Sequence, residues 1–280
     1  MIRIYFTPNW GISAPQMLDY FKRQTPDCAG KWEDMVAVGS QEDADYVIVQ
    51  DGSTESIKDI RKVIFFGREP RHVKLHDWSK ENCHRSYHHE FGNCWLPVTW
   101  WVGASYNELK NNSFEKSKNF SIIDSGKRSL QGHINRVNLI ESYLAKYRSS
   151  VDLLGKMSDK VLPPRDKILG LQDYRYTLSV ENGSTDFYFS EKITDAILCD
   201  TMPIYWGCKK IDKFLPTGSY HLIDIYDKHA IDKIYEIINS DYREQNLDAL
   251  KEAKELILDK YNIWPTIKSS VFDSKKNLIS

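Results

Sequence analysis

Residues 174–207 read YRYTLSVENGSTDFYFSEKITDAILCDTMPIYWG. Thr177-Leu178-Ser179-Val180 is a short run rich in strand formers, and it stops at the polar pair Glu181-Asn182. Ser190 is an N-cap residue in front of Glu191-Lys192, and residues 191–199 carry apolar positions at helical spacing. Pro203-Ile204-Tyr205-Trp206 is apolar and ends at Gly207, so it reads as a second strand. Strand, helix and strand in close succession make a βαβ unit and predict a parallel sheet. The fold class that follows is α/β.

The same alternation extends in both directions. Residues 2–6, 44–50 (ADYVIVQ) and 62–66 (KVIFF) read as buried strands, and 16–23 as a helix. Residues 120–124, 151–154 and 221–225 read as strands, 135–147 as a helix, and the tail from 230 as mostly helical. Residues 77–94 are polar and read as irregular structure, while 95–102 (WLPVTWWV) carries Pro97 and reads as an edge strand or packed connection. Residues 107–118 (NELKNNSFEKSK) are the most polar and least periodic of the middle. Placing the boundary there gives domains 1–115 and 116–280, each with its own sheet, a cleft between them, and a terminal helix able to pack back on the first.

Bulk properties narrow the function. A formal net charge of -1 over 280 residues gives no general attraction to nucleic acid, which is excluded as a main partner. No window approaches a membrane span, and the start MIRIYF has no signal-peptide core. Five scattered cysteines without a CxxC pair suit reduced thiols, so a cytoplasmic setting is expected.

Ligands of doubly wound sheets bind where strands end and helices begin. Ser125, Lys127 and Arg128 follow the 120–124 strand, and Arg136 lies early in the next helix. Glu181 and Asn182 follow the 177–180 strand, and Ser190, Glu191 and Lys192 open the helix after it. Helix-start N–H groups together with Arg or Lys side chains can cradle a diphosphate. Neither GxxxxGK[ST] nor GxGxxG is present, which disfavours an ATPase or a dinucleotide dehydrogenase.

The stretch VENGSTDFYFSEKITDAILCDTMPIYWG resembles the donor-binding segment of the α1,3-fucosyltransferase family, glycosyltransferase family 10. Glu181-Asn182 match its EN, and Tyr188, Glu191 and Lys192 match its Y, E and K. Pro203 to Gly207 match its [VI]-P-[VI]-[YV]-[WL]-G segment, FLPTGSY (214–220) its F-x-P-x-x-S-[FY], and VDLLGK (151–156) its VD-x-[YG]-G-[RK]. The resemblance covers residues 120–226 well and the N-terminal half weakly. Val180 replaces the usual Phe, and Ser190 the usual Thr.

The resemblance implies a GT-B architecture of two Rossmann-like domains and an inverting transfer with no obligatory metal or other cofactor. The donor is a nucleotide sugar, GDP-fucose by family default with UDP-xylose as an alternative, and the acceptor is a hydroxyl of a glycan. Arg136 and Lys192 are then expected to neutralise the diphosphate, with Tyr188, Ser190 and Glu191 along the nucleotide-sugar and Glu181-Asn182 shaping the pocket. Inversion needs a base for the acceptor hydroxyl. The family carries a glutamate after an N-terminal strand, and Phe65-Phe66-Gly67-Arg68-Glu69-Pro70 offers Glu69. The competing class is a glycan- or nucleotide-binding module without catalysis on the same fold.

Three look-alikes are set aside. Asp43-Ala44-Asp45 mimics a DxD metal motif but precedes its strand. Cys83, His84, His88, His89 and Cys94 fit no standard zinc spacing. Trp100-Trp101 reads as packing before it reads as an acceptor platform.

Overall fold

Short β-branched and aromatic runs, each closed by a polar turn or a helix, produce two separate sheets. The structure, a computed structural model, describes residues 1–69, 83–88, 97–163 and 166–272. It divides into one unit of Met1–Thr99, Ser105–Asn111 and Leu258–Ser280, and a second of Trp100–Ala104 and Asn112–Ile257.

In the first unit the strands are β1 (Ile2–Phe6), β2 (Lys31–Trp32), β3 (Met35–Ala37), β4 (Tyr46–Gln50), β5 (Val63–Gly67) and β6 (Arg85–His88). Their order is β2-β3-β1-β4-β5-β6, parallel throughout except for the short β2–β3 hairpin. Helix α1 (Ala14–Arg23) starts with a Ser13–Gln16 capping box, and α2 spans Tyr106–Asn111. The buried runs Val47–Val49 and Val63–Phe66 are apolar at successive positions because helices cover parallel sheets on both faces.

The second unit holds β7 (Lys118–Asp124), α3 (Gln131–Tyr147), β8 (Asp152–Gly155), β9 (Tyr174–Val180), α4 (Glu191–Leu198), β10 (Met202–Trp206) and β11 (His221–Leu222). Helices α5 (Ala230–Ile238), α6 (Tyr242–Gln245) and α7 (Leu247–Leu256) follow, and α8 (Ile263–Phe272) belongs to the first unit. The sheet order is β11-β10-β9-β7-β8, all parallel. The core joins Phe120 and Ile122 of β7 and Tyr176 of β9 to Ile140 and Tyr143 of α3 and Ile234 of α5. Strand β7 has β8 on one side and β9 on the other, so the order reverses there. That is the topological switch point, where such sheets bind ligands.

Two local readings need correction, and two others are filled in by the structure. The aperiodic stretch 107–118 holds the end of α2 over 107–111 and the first residue of β7 at Lys118. Within 77–94, β6 pairs parallel with β5, and Tyr87 stacks on Phe66 at 5.5 Å, a long-range contact that local polarity hides. His89 and Cys94 lie outside the described residues. The strand expected at 221–225 keeps only His221–Leu222. In 97–102, Val98 bridges to Asn262 as a packed connection, and Trp100 is buried with Nε1 donating to Ala104 O.

Lys116 ties the base of the second sheet together. Its Nζ donates to Gln172 O (2.7 Å), Cys199 O (2.5 Å) and Thr201 Oγ1 (3.1 Å). Burial lowers its pKa to about 7 from the ordinary 10.5. Between those values the unfolded chain binds more protons, so stability from this site rises with pH. The Tm difference between wild type and Lys116→Met should therefore widen in favour of wild type from about pH 7 to about pH 9. Parallel Tm curves would show that Lys116 stays charged in the fold.

Candidate active site

Strand β7 ends on Asp124, whose side chain is fully buried at the switch point. Its Oδ2 accepts from Gly126 N at 2.7 Å, and its Oδ1 accepts from Arg136 Nε at 3.2 Å. Arg136 Nη1 also donates to Val180 O (3.1 Å) and Asn182 Oδ1 (3.2 Å). One guanidinium thus links the ends of β7 and β9 through α3. The helix can come this close because of Gly132, where an added Cβ would lie 1.9 Å from Asn182 O. His133, one position on, is 5% exposed, and its Nδ1 is 3.3 Å from Ser129 Oγ. Burial first, then Arg136, Lys127 and Lys192, hold its pKa below the ordinary value, so the imidazole is neutral at neutral pH.

Glu181 follows β9 and is completely buried. Its Oε1 accepts from Ser190 N (2.8 Å) and its Oε2 from Ser190 Oγ (2.6 Å). Ser190 in turn caps α4 by accepting from Lys192 N. Lys192 Nζ lies 3.5 Å from Glu181 Oε2 and 3.3 Å from Glu191 Oε1. Burial raises the Glu181 pKa, against the pull of Lys192. Burial alone would lower the pKa of Lys192, but Glu191 and Glu181 more than offset it and hold the ammonium above its usual value. Gly207 explains the end of the PIYWG segment. A Cβ there would sit 2.4 Å from Glu181 Cγ and 2.6 Å from the Tyr205 hydroxyl.

Arg136, Glu181, Asn182, Ser190, Glu191 and Lys192 therefore gather at the carboxyl ends of β7 and β9. Ser125 and Lys127 stand on the exposed loop after β7. Tyr188 is 2% exposed and packs within the loop before α4. Glu69 belongs to the other unit, just past β5, and its backbone N–H donates to Asp51 Oδ1 at 3.0 Å. Asp51 itself follows β4 directly, with φ of 60°, an uncommon left-handed conformation for a non-glycine residue. Its Oδ1 also accepts from Arg68 N at 2.5 Å, and Arg68 Nη1 donates to Gln50 and Thr99. Burial raises the Asp51 pKa, with Arg68 opposing it. The DxD look-alike has other partners: Asp45 pairs with Arg3 and Asp43 with Ser40.

Residue types alone did not single out Asp124, His133, Asp51, Lys167 or Asp195. Asp124 carries a usable signal as a carboxylate closing an apolar strand. Asp195 is four residues from Glu191 on α4, a spacing that puts both on one helix face. Lys167 has no local signal, because its partners are 24 and 28 positions away in sequence (191 − 167 and 195 − 167).

The two mostly parallel sheets make a pair of Rossmann-like units, the GT-B fold class, with an arginine and a lysine gathered at the switch point of the second. Residues 97–246 match the family described as glycosyltransferase family 10 (fucosyltransferase), C-terminal part, and the chain belongs to that family. In structure it is similar to an α1,3-fucosyltransferase crystallised with GDP-fucose, at 16% identity over 99% of this chain and 92% of that one, with a TM-score of 0.47. An α1,3-fucosyltransferase crystallised with GDP is similar at 15% identity over 100% of this chain and 92% of that one, TM-score 0.46. A Staphylococcus aureus TarM variant in complex with fondaparinux, α-GlcNAc-glycerol and UDP is similar at 14% identity over 57% of this chain and 36% of that one, TM-score 0.41. Comparison with curated proteins gives no match.

Removing one member of a buried ion pair strands its partner in low dielectric, so Arg136→Ala should lose about 3–5 kcal/mol in urea unfolding. A loss below about 1 kcal/mol would mean that Asp124 is solvated once its partner is gone. Gly132→Ala should cost about 1–3 kcal/mol in the same assay, because α3 must move off the Asn182 backbone.

Proposed function

We propose that this glycosyltransferase inverts the anomeric centre as it moves a sugar from a nucleoside-diphosphate donor to a hydroxyl of a glycan acceptor. GDP-fucose is the family's default donor. The observation that carries the reading is that Arg136 and Lys192 both stand at the carboxyl ends of β7 and β9, beside the start of α4. Two cations there offset the charge of a diphosphate and of the leaving group it becomes.

In this mechanism Glu69 accepts the proton of the acceptor hydroxyl. The freed oxygen attacks the anomeric carbon on the face opposite the diphosphate. The bond from that carbon to the phosphate oxygen breaks, its electron pair stays on the diphosphate, and the configuration inverts. Glu191 faces the sugar and the positive charge that forms on it. Asn182, Ser125 and Lys127 border the nucleotide. The burial of Tyr188 gives it the task of supporting the loop before α4, which carries Asn182. Asp51 holds the Arg68-Glu69 turn through two backbone N–H groups.

Thermal shift against GDP-fucose, GDP, UDP-xylose and UDP-glucose tests the donor. A ligand at about 100 times its Kd adds about 2.7 kcal/mol to stability. Stabilisation by the GDP compounds is expected. Stabilisation by UDP compounds alone would replace the donor, and none by any would favour a binding module without catalysis. Glu69→Gln should reduce transfer by about a hundredfold or more while the donor shift stays unchanged. Normal transfer by that variant would remove Glu69 as the base.

A further inference from the structure

Lys167 opens a single 3₁₀ turn, Lys167–Gly170, just before β9. Its Nζ lies 2.9 Å from Asp195 Oδ2 and 3.6 Å from Glu191 Oε1. Asp195 is 1% exposed and is fixed on its other oxygen by the Trp101 N–H at 3.1 Å. Glu191 and Asp195 stand four residues apart on α4, where two like charges repel. Lys167 sits against both carboxylates. Glu191 Oε1 is also 3.3 Å from Lys192 Nζ, so one carboxylate oxygen is shared by two ammonium groups.

This sharing matters for any anion that arrives at Lys192. The local carboxylates are Glu181, Glu191 and Asp195, and the local ammonium groups are Lys167 and Lys192. A diphosphate must draw Lys192 away from Glu181 and Glu191. Glu181 already accepts from the Ser190 N–H and hydroxyl, so it stays satisfied when Lys192 leaves. Glu191 keeps an ammonium beside it when Lys192 leaves, because Lys167 Nζ lies 3.6 Å from the same oxygen.

We propose that Lys167 is a positioning residue for donor binding, holding Glu191 on its own ammonium so that Lys192 is released to the diphosphate. This rests on the reading that Lys192 meets a diphosphate. Lys167 suits the task because it is anchored from behind by Asp195, which leaves its position independent of the ligand. Burial alone would favour the neutral amine, but Asp195 and Glu191 more than offset it and keep the group charged. Burial raises the Asp195 carboxyl to about 6, with Lys167 opposing, so the anchor is ionised at neutral pH.

The test is calorimetric titration of the full chain with GDP. Lys167→Met should weaken GDP about tenfold, because Glu191 then captures Lys192. Lys167→Arg should stay within about threefold of wild type, since it keeps the charge. Lys167→Met combined with Glu191→Gln should recover most of the GDP affinity, which a purely structural role for Lys167 would not allow. Lys167→Met combined with Asp195→Asn leaves no buried uncompensated carboxylate, and it should show the same tenfold loss if the single variant does not fold. Wild-type affinity in Lys167→Met, or no recovery on adding Glu191→Gln, would overturn the proposal. Lys192→Ala separates the two readings. Unchanged GDP binding in that variant, or no GDP binding by wild type, would overturn the diphosphate assignment itself. A loss in Lys192→Ala with none in Lys167→Met would overturn only the role of Lys167.

Discussion

Arg136 reaches from α3 to Asp124 at the end of β7, to Val180 O at the end of β9, and to Asn182 beyond it. Asp124 has a fully buried side chain, and an unpaired carboxylate there would be costly. The pair therefore constrains more than its own residues. It sets how far the two central strands extend, and it requires the first turn of α3 to approach the 181–182 backbone. That approach is possible only because position 132 has no side chain. The floor of the site is thus held by one cation whose own charge also suits an anionic ligand.

The other side of the site uses a buried carboxylate in place of a buried cation. Glu181 accepts twice from Ser190, and Ser190 caps α4, so the end of β9 and the start of the helix are locked to each other. Lys192 and Lys167 then divide the remaining negative charge. The outcome is a helix start crowded with ionised groups that are nearly balanced. Such a balance lets a strongly charged ligand exchange partners with side chains at small net cost, because each broken contact is replaced by another.

The first unit shows a parallel device at lower charge. Asp51 leaves β4 in a left-handed backbone conformation and accepts from two successive N–H groups past β5. Non-glycine residues in that conformation carry strain, and surrounding bonds must hold them there. Here the bonds are the Asp51 N–H to Phe66 O and those to its carboxylate. The turn carrying Glu69 is fixed by this arrangement, on the same kind of strand end that carries the site in the second unit.

What could be read without coordinates was local. The period of apolar residues placed β1, β4, β5, β7, β9, α3 and α4, and the strand-end pair at 181–182 with the N-cap serine placed Asn182 and Lys192 at one strand–helix junction. Those features depend on residues a few positions apart, so the sequence alone determined them. The strand β6, the strand order that makes β7–β9 the switch point, and the partners of Arg136 depend on segments far apart in the chain. Lys167 is the clearest case, since nothing near it in sequence marks it, yet folding sets its ammonium between Glu191 and Asp195. Only the tertiary structure could decide that, because desolvation and charge pairing act over ångströms in space and not over positions along the chain.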